Sequence, residues 1–495
     1  MSALSGSLVE RSEHRILGDL GVMAVQVFSR IRLRSDSDIG NFIFALLDPA
    51  DATFSSRFCN FPLTPERGTP ILRLMANDRG ALGCSAKSPG SVPTEPDSAE
   101  EDSGRATFGW FLLLFFLLNV GQGVFAPLLP QIMDGLGLSF VSAGILGASL
   151  GVARFVVDLP AGILAERLSI PRILHIAMAL QLVGTGLSAL ATSLAAMLLA
   201  RGLIGLGSGM SMVVAILYLM RRSPAERRMR WANVYEVAVI GGMSISSELA
   251  VMVAAWRGWR WSFALAAGVL GLAWLVAALR VAPGIRHLLD DGDPPAPASS
   301  QGVRRLDAGI LAVYFAIFAQ AFTWGGAIST LLPLYGGRAL MLSPEVIGRT
   351  MAIAFAVEVC LLFPVGWASD VLGKVRVMIP GFLAMLVGTV VAPATRGGLG
   401  YGVAYSLVVA GMAVWMVPPA LLSERLPSGF RGRVAGFYRL VIDVGIIVGP
   451  ALIGLAIERW GFQMAAGAVA AVLVTSICLS GTLIRGIVGQ GDRIR

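Results

Sequence analysis

The residues of this chain whose types and spacing could do chemistry are the few charges embedded in long apolar stretches. Arg154 and Asp158 stand one helical turn apart, and Arg439 and Asp443 repeat that spacing late in the sequence. Arg201, Glu236, Glu248 and Glu358 are further charges among apolar neighbours. At about 2.5–3.5 kcal/mol each on insertion scales, such charges call for partners or a water-filled cavity. Ion pairing, proton transfer and contact with a polar solute are the chemistries to expect of them. The four cysteines, Cys59, Cys84, Cys360 and Cys478, are scattered and the three histidines lie apart, so spacing builds neither a disulfide framework nor a metal site. There is no HExxH, no GxSxG and no Walker lysine loop, so the reading is of a non-enzyme, without cofactor or metal and not driven by ATP.

The elements that must carry these charges follow from composition. Of 495 residues, 55% are hydrophobic and 14% charged, with a mean hydropathy of +0.73. Soluble domains carry about 25% charged residues, so a water-soluble enzyme is excluded. From Phe108 onward twelve apolar runs follow, each long enough to cross a hydrocarbon core of about 30 Å as a helix. The first covers 108–131, the second 139–165, the sixth 261–282 and the seventh 307–333. No short alternating strands of a barrel appear among them. The expected fold class is an all-α membrane protein of twelve transmembrane helices. The longest interruption, Pro283 to Arg305, divides them six and six. The expected organisation is a disordered tail over 1–106, ending in the acidic run Glu95 to Asp102, then a six-helix bundle over 107–282. A central loop over 283–305, a second bundle over 306–486 and a short tail over 487–495 complete it.

The formal net charge of +8 suggests nucleic acid only if the basic residues gather on a soluble domain. They do not: acidic residues outnumber basic ones before Arg105, and the reverse holds after it. Lys and Arg concentrate in the loops on one side of the runs, the other side holding Arg257, Arg260, Arg338, Arg349, Arg396 and Arg459. The positive-inside rule then puts both tails and the central loop in the cytoplasm of a multi-pass plasma- or bacterial inner-membrane protein. Trp256, Trp259 and Trp261 read as an interfacial aromatic belt, and His175 as an interfacial residue without a visible partner.

A repeat links the halves. Gly162-Ile-Leu-Ala-Glu166-Arg-Leu-Ser-Ile-Pro-Arg172 recurs as Gly366-Trp-Ala-Ser-Asp370-Val-Leu-Gly-Lys-Val-Arg376, 204 residues later. Ala232-Asn-Val-Tyr235 recurs as Ala435-Gly-Phe-Tyr438. Two homologous bundles with a site between them near the midplane are the simplest explanation.

With these motifs the chain resembles the major facilitator superfamily over about 107–486. The family's loop signature between its second and third helices is carried in degenerate form by Gly162, Glu166, Arg167 and Arg172, and more fully by Gly366, Asp370, Gly373, Lys374 and Arg376. Further carriers are Arg201-x-x-x-Gly205-x-Gly207-x-Gly209, Gly258-Trp-Arg-Trp261 and Gly445-x-x-x-Gly449-Pro450-x-x-x-Gly454. The Gly-Pro motif of the fifth helix of drug–proton antiporters is absent from Ile240 to Glu248. The resemblance implies two pseudo-symmetric bundles that rock about a central site, giving each face access in turn.

It also implies roles. The loop-signature residues would form an inner gate. Crossed pairs Asp158–Arg439 and Arg154–Asp443 would hold it shut, the competing reading being that each pair is satisfied along its own helix. Repeat arithmetic sets Glu358 opposite Arg154 and Glu236 opposite Arg439, with Leu362 and Ile240 where the other side has acids. Two carboxylates without evident cations, Glu236 and Glu358, are then the leading proton-coupling candidates, with Glu248 behind them and simple packing as the bland alternative. Asn119, Gln122, Arg201, Gln320 and Trp324 are the substrate-cavity candidates, though such residues also serve as interhelical glue. The function expected is proton-coupled efflux of a small organic molecule. The competing expectations are proton-coupled uptake of an organic anion or metabolite and a transport-inactive sensor on the same fold. The partners are a small-molecule substrate, protons and the bilayer, not nucleic acid, and a monomer is compatible with the pattern.

Overall fold

A computed structural model describes residues 98–158, 168–222, 228–285, 308–425 and 431–491. The tail expected over 1–106 therefore lies outside them up to residue 97, as do most of the central loop and Gly162, Glu166 and Arg167. The chain forms two compact units. One includes Trp110–Arg495; of the other, the described residues are only the opening turns of the helix Ser98–Gln122.

Among the described residues every regular element is helical. Eleven helical spans are long and apolar enough to cross a membrane: α1 (Ala106–Leu136), α2 (Phe140–Asp158), α3 (Ile170–Leu190), α4 (Leu194–Leu219), α5 (Trp231–Arg257), α6 (Trp259–Ile285), α7 (Gly309–Ala339), α8 (Pro344–Leu372), α9 (Lys374–Ala394), α10 (Gly398–Leu422) and Phe437–Gly481. The last is two helices, α11 (437–460) and α12 (462–481), joined at Gly461, whose φ of 82° is open to glycine and strained for other residues. The total among the described residues is twelve, in agreement with the apolar runs. Large apolar side chains such as Leu190, Leu199, Leu279 and Met464 face outward, as a lipid-bathed surface demands.

Several boundaries differ from the sequence reading, each for a physical reason. The first run was set to end at 131, but α1 continues to Leu136, where Gly137 turns left-handed and its N–H and that of Leu138 cap the last carbonyls. The apolar pattern opens the central loop at Pro283 and closes the seventh span at 333. Helix instead continues through Ile285 and Ala339. In both places a π-helical segment precedes the proline, Ala277–Val281 in α6 and Trp324–Leu331 in α7, and its wider hydrogen-bond ring accommodates a residue without an N–H. The sixth span starts at Trp259 rather than 261 because Gly258, at φ 89°, makes the break.

The repeat is visible in the packing. On α3 and α4, a Cβ added at Gly184 would lie 2.6 Å from the Ala200 carbonyl oxygen and one at Gly207 2.5 Å from that of Ala177. On α9 and α10, Gly388 meets Ala404 at 2.6 Å and Gly411 meets Gly381 at 2.5 Å. Each partner is displaced by the 204 residues read from the sequence. The face where α1 begins and α2 ends is termed proximal, and the opposite one distal.

Candidate functional site

The site starts from how closely α2 lies against α11. A Cβ at Gly144 would stand 2.5 Å from the Pro450 carbonyl oxygen and 3.0 Å from Gly454 Cα, so only glycine permits this approach. Further along the same seam the four charges meet. Arg439 Nε and Nη2 donate to Asp158 Oδ2 and Oδ1, both at 2.7 Å, a fork geometry in which both acceptors are satisfied. Arg154 Nε lies 3.3 Å from Asp443 Oδ1, and its Nη2 reaches Met212 Sδ. The pairing is thus across the two halves and not along each helix. Asp158 and Asp443 are almost fully enclosed.

Between the halves lies a cavity of about 160 Å³, lined by α1, α2, α4 and α5 on one side and α7, α8, α10 and α11 on the other. These are equivalent sets under the repeat. Of the residues singled out from sequence, Asn119, Gln122, Arg154, Glu236, Trp324 and Glu358 line it. Ile240 and Leu362, the apolar replacements deduced from repeat arithmetic, line it too. Glu236 is 8% exposed and Glu358 2%. Among the described residues neither has an ion-pair partner, and Glu358 Oε2 has no hydrogen-bond donor. Across the repeat, arginines are neutralised while their carboxylate counterparts stand bare.

Polar support comes from α3. Gln122 Nε2 donates to Gln181 Oε1, and Gln181 Nε2 donates to Ser211 Oγ at 2.8 Å, so a residue outside the lining orients two residues within it. Asn119 gives its Nδ2 to the Phe115 carbonyl oxygen at 2.8 Å. Sequence reasoning missed Gln181, Ser211 and the aromatic wall Trp415. A polar residue in mid-span was the available signal for the first two, and nothing distinguishes Trp415 from an ordinary apolar position.

The remaining candidates lie elsewhere. Arg201 is buried and holds its guanidinium 3.6 Å above the Phe125 ring, outside the cavity lining. Its repeat-equivalent position, Tyr405, ties α10 to the Ile328 carbonyl oxygen of α7 at 2.8 Å, so the arginine occupies a place where both halves brace the fourth helix of the bundle against the first. Gln320 is buried outside the cavity lining, with Nε2 unpartnered. Glu248 is paired with Arg349 of α8 at 3.3 Å. Gly366 faces α5, where a Cβ would meet Asn233 Nδ2 at 3.3 Å. Asp370, Arg172 and Arg376 are exposed and Lys374 half-buried. His175 accepts from Trp274 Nε1 at 3.1 Å and so has a partner after all. Of the expected tryptophan belt, Trp256 and Trp261 are exposed, but Trp259 is buried edge-on against Phe263.

The distal face is tied as well. Arg338 Nη2 of α7 lies 2.6 Å from Asp134 Oδ1 of α1, and Glu458 accepts from the Val141 N–H at 2.8 Å. Asp134 and Arg338 are themselves repeat equivalents, 204 residues apart.

A family model described as Major Facilitator Superfamily matches residues 111–339 and 313–486. The hexuronate transporter of Bacillus subtilis (strain 168) is 24% identical over 379 residues, which cover 71% of this chain and 87% of that one. The glucose transporter GlcP of Staphylococcus epidermidis is 22% identical over 375 residues, 67% of this chain and 83% of its own. Among solved structures, the nucleoside transporter NupG superposes with a TM-score of 0.58 at 14% identity, covering 77% of this chain and 98% of that one.

Proposed function

Because this chain belongs to the Major Facilitator Superfamily, we propose that it works as a secondary transporter that exports a small organic molecule in exchange for protons. The observation that carries the reading is the cavity between the halves, with two buried, unpaired carboxylates facing it. In this reading the proximal face is cytoplasmic, and the cavity opens to each face in turn. Glu236 and Glu358 take up and release protons. Asp158–Arg439 and Arg154–Asp443 latch the proximal side, supported by the 2.7 Å fork and the 3.3 Å contact between halves. Gly366, Asp370, Lys374 and Arg376, with Gly162, Glu166, Arg167 and Arg172, serve the same gate. Asn119, Gln122 and Trp324 contact the cargo, while Arg201 and Gln320 act from behind the wall.

A second reading, uptake of an organic anion, is favoured by two observations: Arg154 lines the cavity, and a relative is named for hexuronate. Reconstituted proteoliposomes with an imposed pH gradient test both against a solute panel. Counterflow of solute against protons, abolished by a protonophore, is the expected result. Solute movement in the same direction as protons overturns it in favour of uptake, and absence of any solute movement overturns transport.

A further inference from the structure

We propose that the cavity takes an organic cation, a small ammonium-type molecule with apolar groups, held between Glu236 and Glu358 and walled by Trp324 and Trp415. This rests on reading the cavity as the cargo site. The charges facing it are the first argument. Arg154 is committed to Asp443 at 3.3 Å, and Arg201 lies off the cavity against Phe125. Glu236 and Glu358 are therefore the lining residues, among those described, whose charge is left without a counter-ion. A buried carboxylate in that position either holds a proton or accepts a cation. An entering cation supplies the missing charge, and a proton leaves in its place.

The walls are the second argument. Phe115, Trp324 and Trp415 are aromatic lining residues, and aromatic rings attract alkylammonium groups. Met212, Met243, Met412 and Met416 offer polarizable, adaptable thioethers. A sugar needs many fixed hydrogen bonds, yet Asn119 has spent an amide hydrogen on Phe115 and Gln122 is held by Gln181. An anionic cargo would face two acids, its one cation already shared with Asp443. The chemistry of this cavity thus departs from the hexuronate and glucose named for two relatives.

The test is thermal unfolding of the purified full chain with defined probes. Phenyltrimethylammonium and choline are the cations. 3,3-Dimethylbutanol is the uncharged isostere of choline, and glucose and glucuronate are the competing classes. The two cations are expected to raise the unfolding temperature in a saturable way, and the other three are not. Glu236→Gln and Glu358→Gln should each weaken phenyltrimethylammonium at least about tenfold, the loss of one charge-assisted contact. Glu236→Asp and Glu358→Asp should retain part of the binding, separating charge from misfolding. Lowering the pH should weaken the cation in the wild type and less in each Gln variant. The charged or titratable groups around the two carboxylates are Arg154 from α2, Tyr235 from α5, and Tyr438, Arg439 and Asp443 from α11. No stabilisation by either cation, or equal affinity in the Gln variants, overturns the proposal. Proteoliposomes keep it distinct from the transport reading: glucose or glucuronate flux without cation flux sinks the cation site alone. Cation binding through these acids without any flux sinks transport alone.

Discussion

Arg439 satisfies both oxygens of Asp158 at 2.7 Å, so removing either partner strands a buried charge, a loss of about 3–5 kcal/mol in such settings. Arg439→Glu and Asp158→Arg should each cut transport at least about tenfold, and the doubly swapped chain should recover most of it, read as initial flux in proteoliposomes. Failure of the swap to rescue flux would remove the pair as a latch that transport depends on. For the cavity acids, Glu358→Gln should flatten the pH dependence of flux. In the site proposed above, protons compete with a cationic cargo for the carboxylate, so wild-type cargo binding weakens as pH falls, whereas an amide does not titrate. A pH profile unchanged from wild type removes Glu358 from proton coupling. At this scale much was legible. Charges at helical spacing in apolar runs are rare enough to stand out, and repeat arithmetic set Glu236 and Glu358 opposite the two arginines, though not that both line one cavity. Glu248 was not legible in the same way, because its partner Arg349 sits at no repeat offset. Nor was Arg201, whose ring partner Phe125 looks like any other apolar residue.

Between elements, the α2–α11 seam depends on bare backbone. Gly144→Ala should overpack it by about 1–3 kcal/mol and lower the unfolding temperature. Gly186→Ala on α3, where nothing lies within 4 Å of the added carbon, should hold or slightly raise it through helix propensity. Equal behaviour of the two in a melting assay would remove close approach as the reason for glycine at position 144. The number of helices was legible because twenty consecutive apolar residues have few other uses. Their ends were less so. The apolar pattern stops at Pro283 and at 333, but the helix runs on past both prolines, with π-helical turns ahead of each. Such turns have no simple signature in residue type.

For the whole molecule, the Asp134–Arg338 contact joins equivalent positions of the two halves, as happens at a pseudo-twofold axis. In a chain cleared of its four native cysteines, a short bifunctional thiol reagent across Asp134→Cys and Arg338→Cys should stop flux, and cleaving the linker should restore it. Undiminished flux in the cross-linked protein would mean that the distal face need not part there. The quartet on the α2–α11 seam has a different consequence. Two arginines and two aspartates sum to zero, so their separation and rejoining carries no net charge through the membrane's electric field. A single uncompensated charge moving across it would feel about 2.3 kcal/mol per 100 mV. The voltage sensitivity of the cycle is therefore left to Glu236, Glu358 and whatever occupies the cavity with them, and in the exchange proposed above current per turnover reads the cargo's charge less that of the protons returned.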